Sequence, residues 1–387
     1  MRKIMMAATA ALALLAALPA QAQIKIGFIA TMSGMAAAAG QDQYDGFMLG
    51  LEQTSGKLGG QTVQVIREDD QLKPDIGTQI VQKFIERDKV HFVVGITFSN
   101  VAMAIAKPLA EAGVFLISTL SGPAPLAGAQ CVPNFFFTAF QNDGQFEAVG
   151  KYAADKNYKR VVMMVPNYQT GKDVVAGFKR FYKGEILDEV YTQLNQTDYS
   201  AEIAQMQVKN PDAVLAFFPG GMGINFVKQY QLAGMLGKTP LLSGGTIDGT
   251  TLPALKDIAV GVKTGSFWAE GLDNPLNKKF VADFEKKYGR VPSFYAAPAF
   301  DTVFLLDSAL KKVKGNLSDK TALRAAIKAA DFKSVRGPFK FNNNHFPIED
   351  FYMFEVKKDS RGRVTLVTDS RVLTDNEDIY HSQCPLK

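Results

Sequence analysis

The chain has 387 residues, of which 47% are hydrophobic, 11% aromatic and 21% charged. At roughly 150 residues per domain this is enough for two or three cores, and the apolar fraction excludes a disordered chain. Lysine and arginine total 43 against 38 acidic residues, a net charge of +5 with no block of like charges. That balance argues against a nucleic-acid partner, which would need a clustered basic face.

Arg2 and Lys3 precede an apolar run over 4–18, and Ala20-Gln21-Ala22 offers the small-x-small pattern read by a signal peptidase. The run is short for a transmembrane helix. Cleavage is predicted after Ala22, with no lipid anchor because no cysteine follows, so the protein is expected to be exported and soluble. In an oxidising compartment Cys131 and Cys384 are more readily bridged than free. Cys131 lies in the Pro/Gly-rich stretch 121–133 and Cys384 is fourth from the end, so a bridge would tie down the C-terminus; two unpaired thiols are the alternative.

From residue 24 onward, short runs rich in β-branched and aromatic residues alternate with segments of helical period. Strands are predicted at 24–30 (IKIGFIA), 62–67, 91–96 and 114–120, separated by helices at 43–54, 75–87 and 101–112. The series restarts after 135–140, with strands at 160–165 (RVVMMV), 213–218 (AVLAFF) and 241–242. Helices at 145–154, 173–183, 200–209 and 223–233 lie between them. Long helices follow at 275–288 and 298–314, then strands at 351–356 and 364–367. Uniformly apolar strands belong to parallel sheets covered on both faces, and strand–helix alternation gives right-handed crossovers. The expected fold class is α/β, with two doubly wound parallel-sheet lobes.

Catalytic patterns are nearly absent. His91, His345 and His381 are far apart and lack metal-site spacing. Gly221-Met222-Gly223 ends in Phe226, so the dinucleotide fingerprint fails at its third glycine. Ser308…Lys311 and Lys263-Thr264-Gly265 match S-x-x-K and K-T-G, but in the wrong order and with no S-D-N between them. An exported hydrolase is therefore a remote reading, and neither cofactor nor metal is expected.

The informative residues stand at strand C-termini, where ligands bind in open α/β sheets. These are Thr31-Met32-Ser33-Gly34 with the following alanines, Gly95 to Asn100, and Ser118 to Gly122. Ser99 opens a helix, and either helix capping or anion binding by free N–H groups would account for it.

Six collinear stretches carry a resemblance: IKIGFIATMSGMAAAAGQDQYDGFMLGLE, KLGGQTVQVIREDDQLKPDIGTQIVQKFI, VGITFSNVAMAIAKPLAEAGVFLISTLSG, VPNYQTGKDVVAGF, FYAAPAFDTVFLLDSAL and RGPFKFNNN. Over essentially the whole mature chain the sequence resembles periplasmic solute-binding proteins of ABC importers, typified by the leucine/isoleucine/valine receptor. The resemblance implies a type I periplasmic binding fold with a three-crossing hinge near Phe140, Trp268 and Asn343. Its lobes would be 24–140 with 269–343, and 141–268 with 344–387. It also implies a monomer in the periplasm that binds a small molecule and docks on a membrane permease; a sensory ligand-binding module is disfavoured.

The same resemblance implies that Ser99, Leu120 through its backbone and Gly122 through its N–H hold the ligand carboxylate. Tyr168 and Thr170 would close over the ligand, Phe217, Pro219 and Gly220 would line the opposite wall, and Tyr295 would return from the first lobe. Plain core packing is the alternative for Tyr168, Phe217 and Tyr295. Amino-acid receptors of the family place an acidic residue where this sequence carries Thr246, with Asp248 two residues on. Ala39 stands where branched-chain receptors carry tryptophan, which implies a longer pocket. A carboxylate clamp without a clear ammonium partner favours an aromatic acid of benzoate or hydroxycinnamate type. Branched-chain or other amino acids, and amide or urea-type ligands, are the alternatives.

Overall fold

The computed structural model describes residues 23–386; the leader and its cleavage position after Ala22 lie outside them. The first sheet contains β1 (Ile24–Ala30), β2 (Lys57–Leu58), β3 (Gln61–Asp69), β4 (Phe92–Gly95), β5 (Phe115–Ser118) and β6 (Phe135–Phe137). Their order is β2-β3-β1-β4-β5-β6, parallel throughout except for the β2–β3 hairpin. Ile26, Phe28, Val93 and Val94 are fully buried, as expected of strands covered on both faces. Helices α1 (Ala37–Gln53), α2 (Pro74–Lys83) and α3 (Ser99–Ala112) connect these strands. The four-alanine stretch expected in a loop instead runs into α1, six residues ahead of the predicted start, in keeping with the high helix propensity of alanine.

The second sheet follows the same logic. It contains β7 (Arg160–Pro166), β8 (Glu185–Thr192), β9 (Ala213–Ala216), β10 (Leu241–Ser243) and β11 (Lys263–Ser266), ordered β11-β10-β9-β7-β8 and parallel. Helices α4 (Gly144–Asp155), α5 (Gln169–Phe181), α6 (Ser200–Lys209) and α7 (Gly221–Leu232) alternate with them. Later in the chain, α8 (Pro275–Tyr288), α9 (Ala296–Lys312) and α10 (Lys320–Lys328) appear. Of these, α9 and α10 join α1 on one face of the first sheet, while α2 and α3 cover the other.

The final strands, β12 (Lys340–Phe341), β13 (Pro347–Lys358) and β14 (Val364–Asn376), return to the second sheet. There β13 runs antiparallel to β11, β12 and β14, so this sheet is mixed and not purely parallel as expected. A tight turn, with Gly362 N–H donating to the Asp359 carbonyl at 2.9 Å, sends β14 straight back along β13.

A fourth apolar cluster gathers Phe140, Phe267, Trp268, Phe294, Tyr295, Phe300 and Phe351 between the sheets. Cys131 and Cys384 form a disulfide across a sequence separation of 253 residues.

Candidate ligand-binding site

Both sheets have the same core order, second–first–third–fourth–fifth, whose reversal point lies between the first and third strands; ligands sit outside the carboxyl ends there. In the first sheet that point falls between β1 and β4, in the second between β7 and β9. Leaving β4, the chain turns through Gly95 and Ile96 at φ 115° and 70°. The left-handed region is costly for a β-branched residue, and such strain clusters at functional sites. The turn is pinned by Ile96 N–H to Ile29 O (2.7 Å) and Ser121 N–H to Ile96 O (3.2 Å). It delivers Thr97, Phe98 and Ser99 to the strand end.

A cleft lies between the two sets of strand ends, where open α/β sheets take their ligands. Seven aromatic rings wall it: Phe98, Phe140, Phe146, Tyr168, Phe217, Phe294 and Tyr295. Its polar lining is Thr97, Ser121, Asn142, Gln145 and Thr170, and among the described residues no charged side chain lines it. Ala36, Ala39, Leu120, Pro219, Gly220 and Gly245 complete the wall. Gly220 sits at φ 61°, and a Cβ there would lie 2.6 Å from the Met35 carbonyl oxygen of the opposite lobe, so glycine is required at this mouth. A larger open groove runs between α8 and the β13–β14 turn; Glu270, Glu285, Arg361 and Arg363 line it, and it reaches Ala38, Gln41 and Asp42 on α1.

Of the residues singled out from the sequence, Leu120, Tyr168, Thr170, Phe217, Pro219, Gly220, Tyr295 and Ala39 line this cleft. Ser99, Gly122, Thr246 and Asp248 do not. Ser99 is fully buried, one hydrogen bond behind the wall: Thr170 donates to its Oγ through both N–H (2.9 Å) and Oγ1 (2.7 Å). The N-termini of α3 and α5 therefore face each other across the lobes. The Gly122 N–H, expected as a ligand donor, is given to Asn142 Oδ1 at 3.0 Å, and Gly122 is packed so closely that a Cβ would lie 2.1 Å from the Phe140 carbonyl oxygen. Thr246 Oγ1 accepts from Phe218 N–H (2.9 Å) and donates to Ala216 O (3.1 Å), so it closes the end of β9. Asp248 Oδ1 accepts from Thr250 N–H and Oγ1–H, both at 2.6 Å, while its Oδ2 has no hydrogen-bond partner.

Tyr295 is held by its own turn. Asp42 accepts from Ser293 N–H (2.8 Å), and Ser293 Oγ accepts from Tyr295 N–H (3.2 Å). Burial, followed by the nearby Asp248 carboxylate, pushes the Tyr295 phenol well above its ordinary value, and burial pushes Tyr168 up as well. Both rings stay neutral at physiological pH.

Behind the cleft, Asn142 Nδ2 donates to Thr170 Oγ1 (3.2 Å) and Asp173 Oδ2 (2.8 Å), and Gln169 Nε2 donates to Asp173 Oδ1 (2.7 Å). Burial, then the neighbouring Asp143 carboxylate, pushes Asp173 up from 3.8 to about 7. A carboxyl raised on folding contributes stability that is fully present below its unfolded value and lost as pH rises through its folded one. The protein is thus expected to lose stability between pH 4 and pH 7, with up to ~1.4 kcal/mol per pH unit coming from this group. Urea unfolding at several pH values should show a shallower slope for Asp173→Asn; equal slopes would contradict the assignment.

Residues 23–362 match the family described as periplasmic binding protein. The chain belongs to that family. This periplasmic binding protein is 26% identical over 373 residues to Leu/Ile/Val-binding protein homolog 6 of Brucella melitensis, covering 94% of this chain and 95% of the relative. It is 31% identical to a solute-binding protein of an ABC transporter from R. palustris, solved in complex with benzoate. That match has a TM-score of 0.90 and covers 94% of this chain and all of the other. A solute-binding protein from Rhodopseudomonas palustris BisB5, solved in complex with 3,4-dihydroxybenzoic acid, is 27% identical with a TM-score of 0.87, covering 92% and 99%. The protein is an ABC solute-binding receptor and not an enzyme.

Several residues lining the receptor's cleft were not singled out from the sequence. Asn142, Gln145, Phe146 and Phe294 all line it. The aromatic-dense run FFFTAFQNDGQF, spanning the passage from β6 to α4, was the available signal.

Proposed function

We propose that this receptor captures a small aromatic carboxylate of benzoate or hydroxycinnamate type in the periplasm, after removal of the leader at Ala22, and delivers it to the permease of an ABC importer. The observation that carries this reading is a cleft walled by seven rings and five neutral polar side chains, with no charged side chain among the described residues. The buried ammonium of an amino acid would meet no carboxylate there, at a cost of several kcal/mol. An acid needs only donors. The α3 and α5 N-termini supply them, with the Ser99 and Thr170 hydroxyls and the Thr170 N–H turning from each other to the carboxylate. Rings such as Tyr168, Phe217 and Tyr295 stack with the ligand for ~0.5–1.5 kcal/mol beyond area burial. The structural neighbours solved with benzoate and 3,4-dihydroxybenzoic acid support the same ligand class.

In this reading the lobes are 24–140 with 269–343 and 141–268 with 344–387, and they close about the chain near Phe140, Trp268 and Asn343. Closure excludes water and strengthens each hydrogen bond to the ligand. Ser99→Ala is expected to weaken acid binding roughly 10- to 100-fold, the loss of one hydrogen bond to a charged group; unchanged affinity by calorimetric titration would remove the carboxylate assignment.

One observation favours a second reading, an amino-acid receptor: the unpartnered Asp248 Oδ2 lies close to Tyr295. A thermal-shift panel of aromatic acids, branched-chain amino acids and short amides separates the two. The aromatic-acid reading predicts stabilisation by the aromatic acids alone, by ~2.7 kcal/mol at a hundred times Kd, with little change in Asp248→Asn. Stabilisation by leucine that disappears in Asp248→Asn would overturn it.

A further inference from the structure

Two buried side-chain oxygens in the cleft wall have no hydrogen-bond partner: Ser121 Oγ and Gln145 Oε1, on residues 3% and 2% exposed. Buried polar atoms left unpaired are rare, and in a cleft they point to a ligand group. The two stand on different lobes. Ser121 follows β5 and bonds through its N–H to Ile96, on the turn that carries Ser99, so it belongs with the acid-binding end. Gln145 opens α4, where the helix packs so tightly on β11 that a Cβ at Gly265 would lie 2.8 Å from the Gln145 carbonyl oxygen. Its Oε1 would lie 3.5 Å from a Cβ on Gly244, whose neighbour Gly245 lines the cleft. The side chain is thus held on a rigid element among the ring-binding walls, and its Oε1 makes no hydrogen bond within the protein.

An amide offers one acceptor and an N–H₂ donor. A carboxylate can satisfy only the donor half and would face the Oε1 lone pairs. A phenol satisfies both halves, giving its hydrogen to Oε1 and accepting from Nε2. We propose that Gln145 is a specificity-determining residue that reads a hydroxyl on the ligand ring, so that the preferred solute is a hydroxylated aromatic acid and not unsubstituted benzoate. This rests on the aromatic-acid reading above and sharpens it. A site built to hydrogen-bond a hydroxyl discriminates against the analogue lacking it, because its own polar group is then left unpaired.

The test is calorimetric titration of the wild-type protein with benzoate, 3-hydroxybenzoate, 4-hydroxybenzoate, cinnamate and 4-hydroxycinnamate, repeated with Gln145→Leu and Gln145→Met. At least one hydroxylated acid is expected to bind tenfold or more tightly than its unsubstituted parent, benzoate or cinnamate. Both variants should lose that preference while holding the parent acid within about threefold. Equal binding of parent and hydroxylated acids by the wild type, or a preference that survives in both variants, would overturn the role of Gln145. Failure of every aromatic acid to bind would overturn the underlying reading instead. The wild-type comparison needs no variant, so the proposal stays testable even if neither substitution folds.

Discussion

Replacing Arg336 by methionine is expected to lower the unfolding free energy by about 3–5 kcal/mol, the cost of breaking a buried ion pair from one side. The guanidinium is only 7% exposed. Its Nη1 donates to the Ala139 carbonyl (2.8 Å) and to Glu349 Oε2 (2.7 Å), its Nη2 donates to the Thr138 carbonyl, and Asp301 lies 3.6 Å from its Nε. It also stacks over the Phe267 ring at 5.1 Å. One side chain thus touches the chain beside Phe140, the chain beside Trp268 and the strand that follows Asn343, the three places proposed as hinge crossings. Without it, Glu349 and Asp301, which burial already pushes up to about 8 and about 6, keep no cation. Removing the glutamate carboxyl, which is otherwise left buried without its partner, should recover part of the loss, so Arg336→Met/Glu349→Met is expected to be more stable than Arg336→Met alone. Denaturant unfolding measures both; a single-variant loss under 1 kcal/mol would show that the cluster does not hold the hinge together.

Loss of the Cys131–Cys384 bridge should cost a comparable amount. A link spanning 253 residues of sequence removes a large share of the unfolded chain's freedom. The loop-entropy relation gives about 5.5 kcal/mol for such a loop, slightly above the range found on removing native disulfides. Non-covalent contacts also anchor the tail: Tyr380 donates to Asp143 Oδ2 at 2.9 Å, and Asn343 Nδ2 donates to the Leu386 carbonyl at 3.1 Å. The double variant Cys131→Ser/Cys384→Ser should therefore fold to the same structure with a stability about 3–5 kcal/mol lower. A difference within 1 kcal/mol would mean that those contacts alone hold the C-terminus.

What could be read from the sequence follows from burial. β1, β4, β7 and β9 are covered on both faces, so their apolar runs stand out, and the collinear stretches supplied the lobe architecture. β8 did not stand out because it is an edge strand, EILDEVYT, with one half-exposed face carrying charges. β11 is only Lys263–Ser266, and the far half of β14 is polar because it pairs on one side only. In the cleft, the residues lying directly at strand ends, Leu120, Tyr168 and Phe217, were legible. Asn142, Gln145 and Phe146 were not, because they reach the cleft only through the way one lobe faces the other. Gly122 and Thr246 show the converse: position at a strand end does not reveal that a neighbouring backbone or amide already occupies the group. Thr246 spends its hydroxyl on β9, and the Gly122 N–H is taken by a side chain beyond the first crossing.

The crystal structure of the protein grown with 4-hydroxybenzoate tests the central claim most directly. The account predicts the carboxylate within hydrogen-bond distance of Ser99 and the Thr170 N–H, and the ring among Tyr168, Phe217 and Tyr295. An acid found with its carboxylate turned away from both helix N-termini, or a cleft that excludes the ring while admitting leucine beside Asp248, would contradict it.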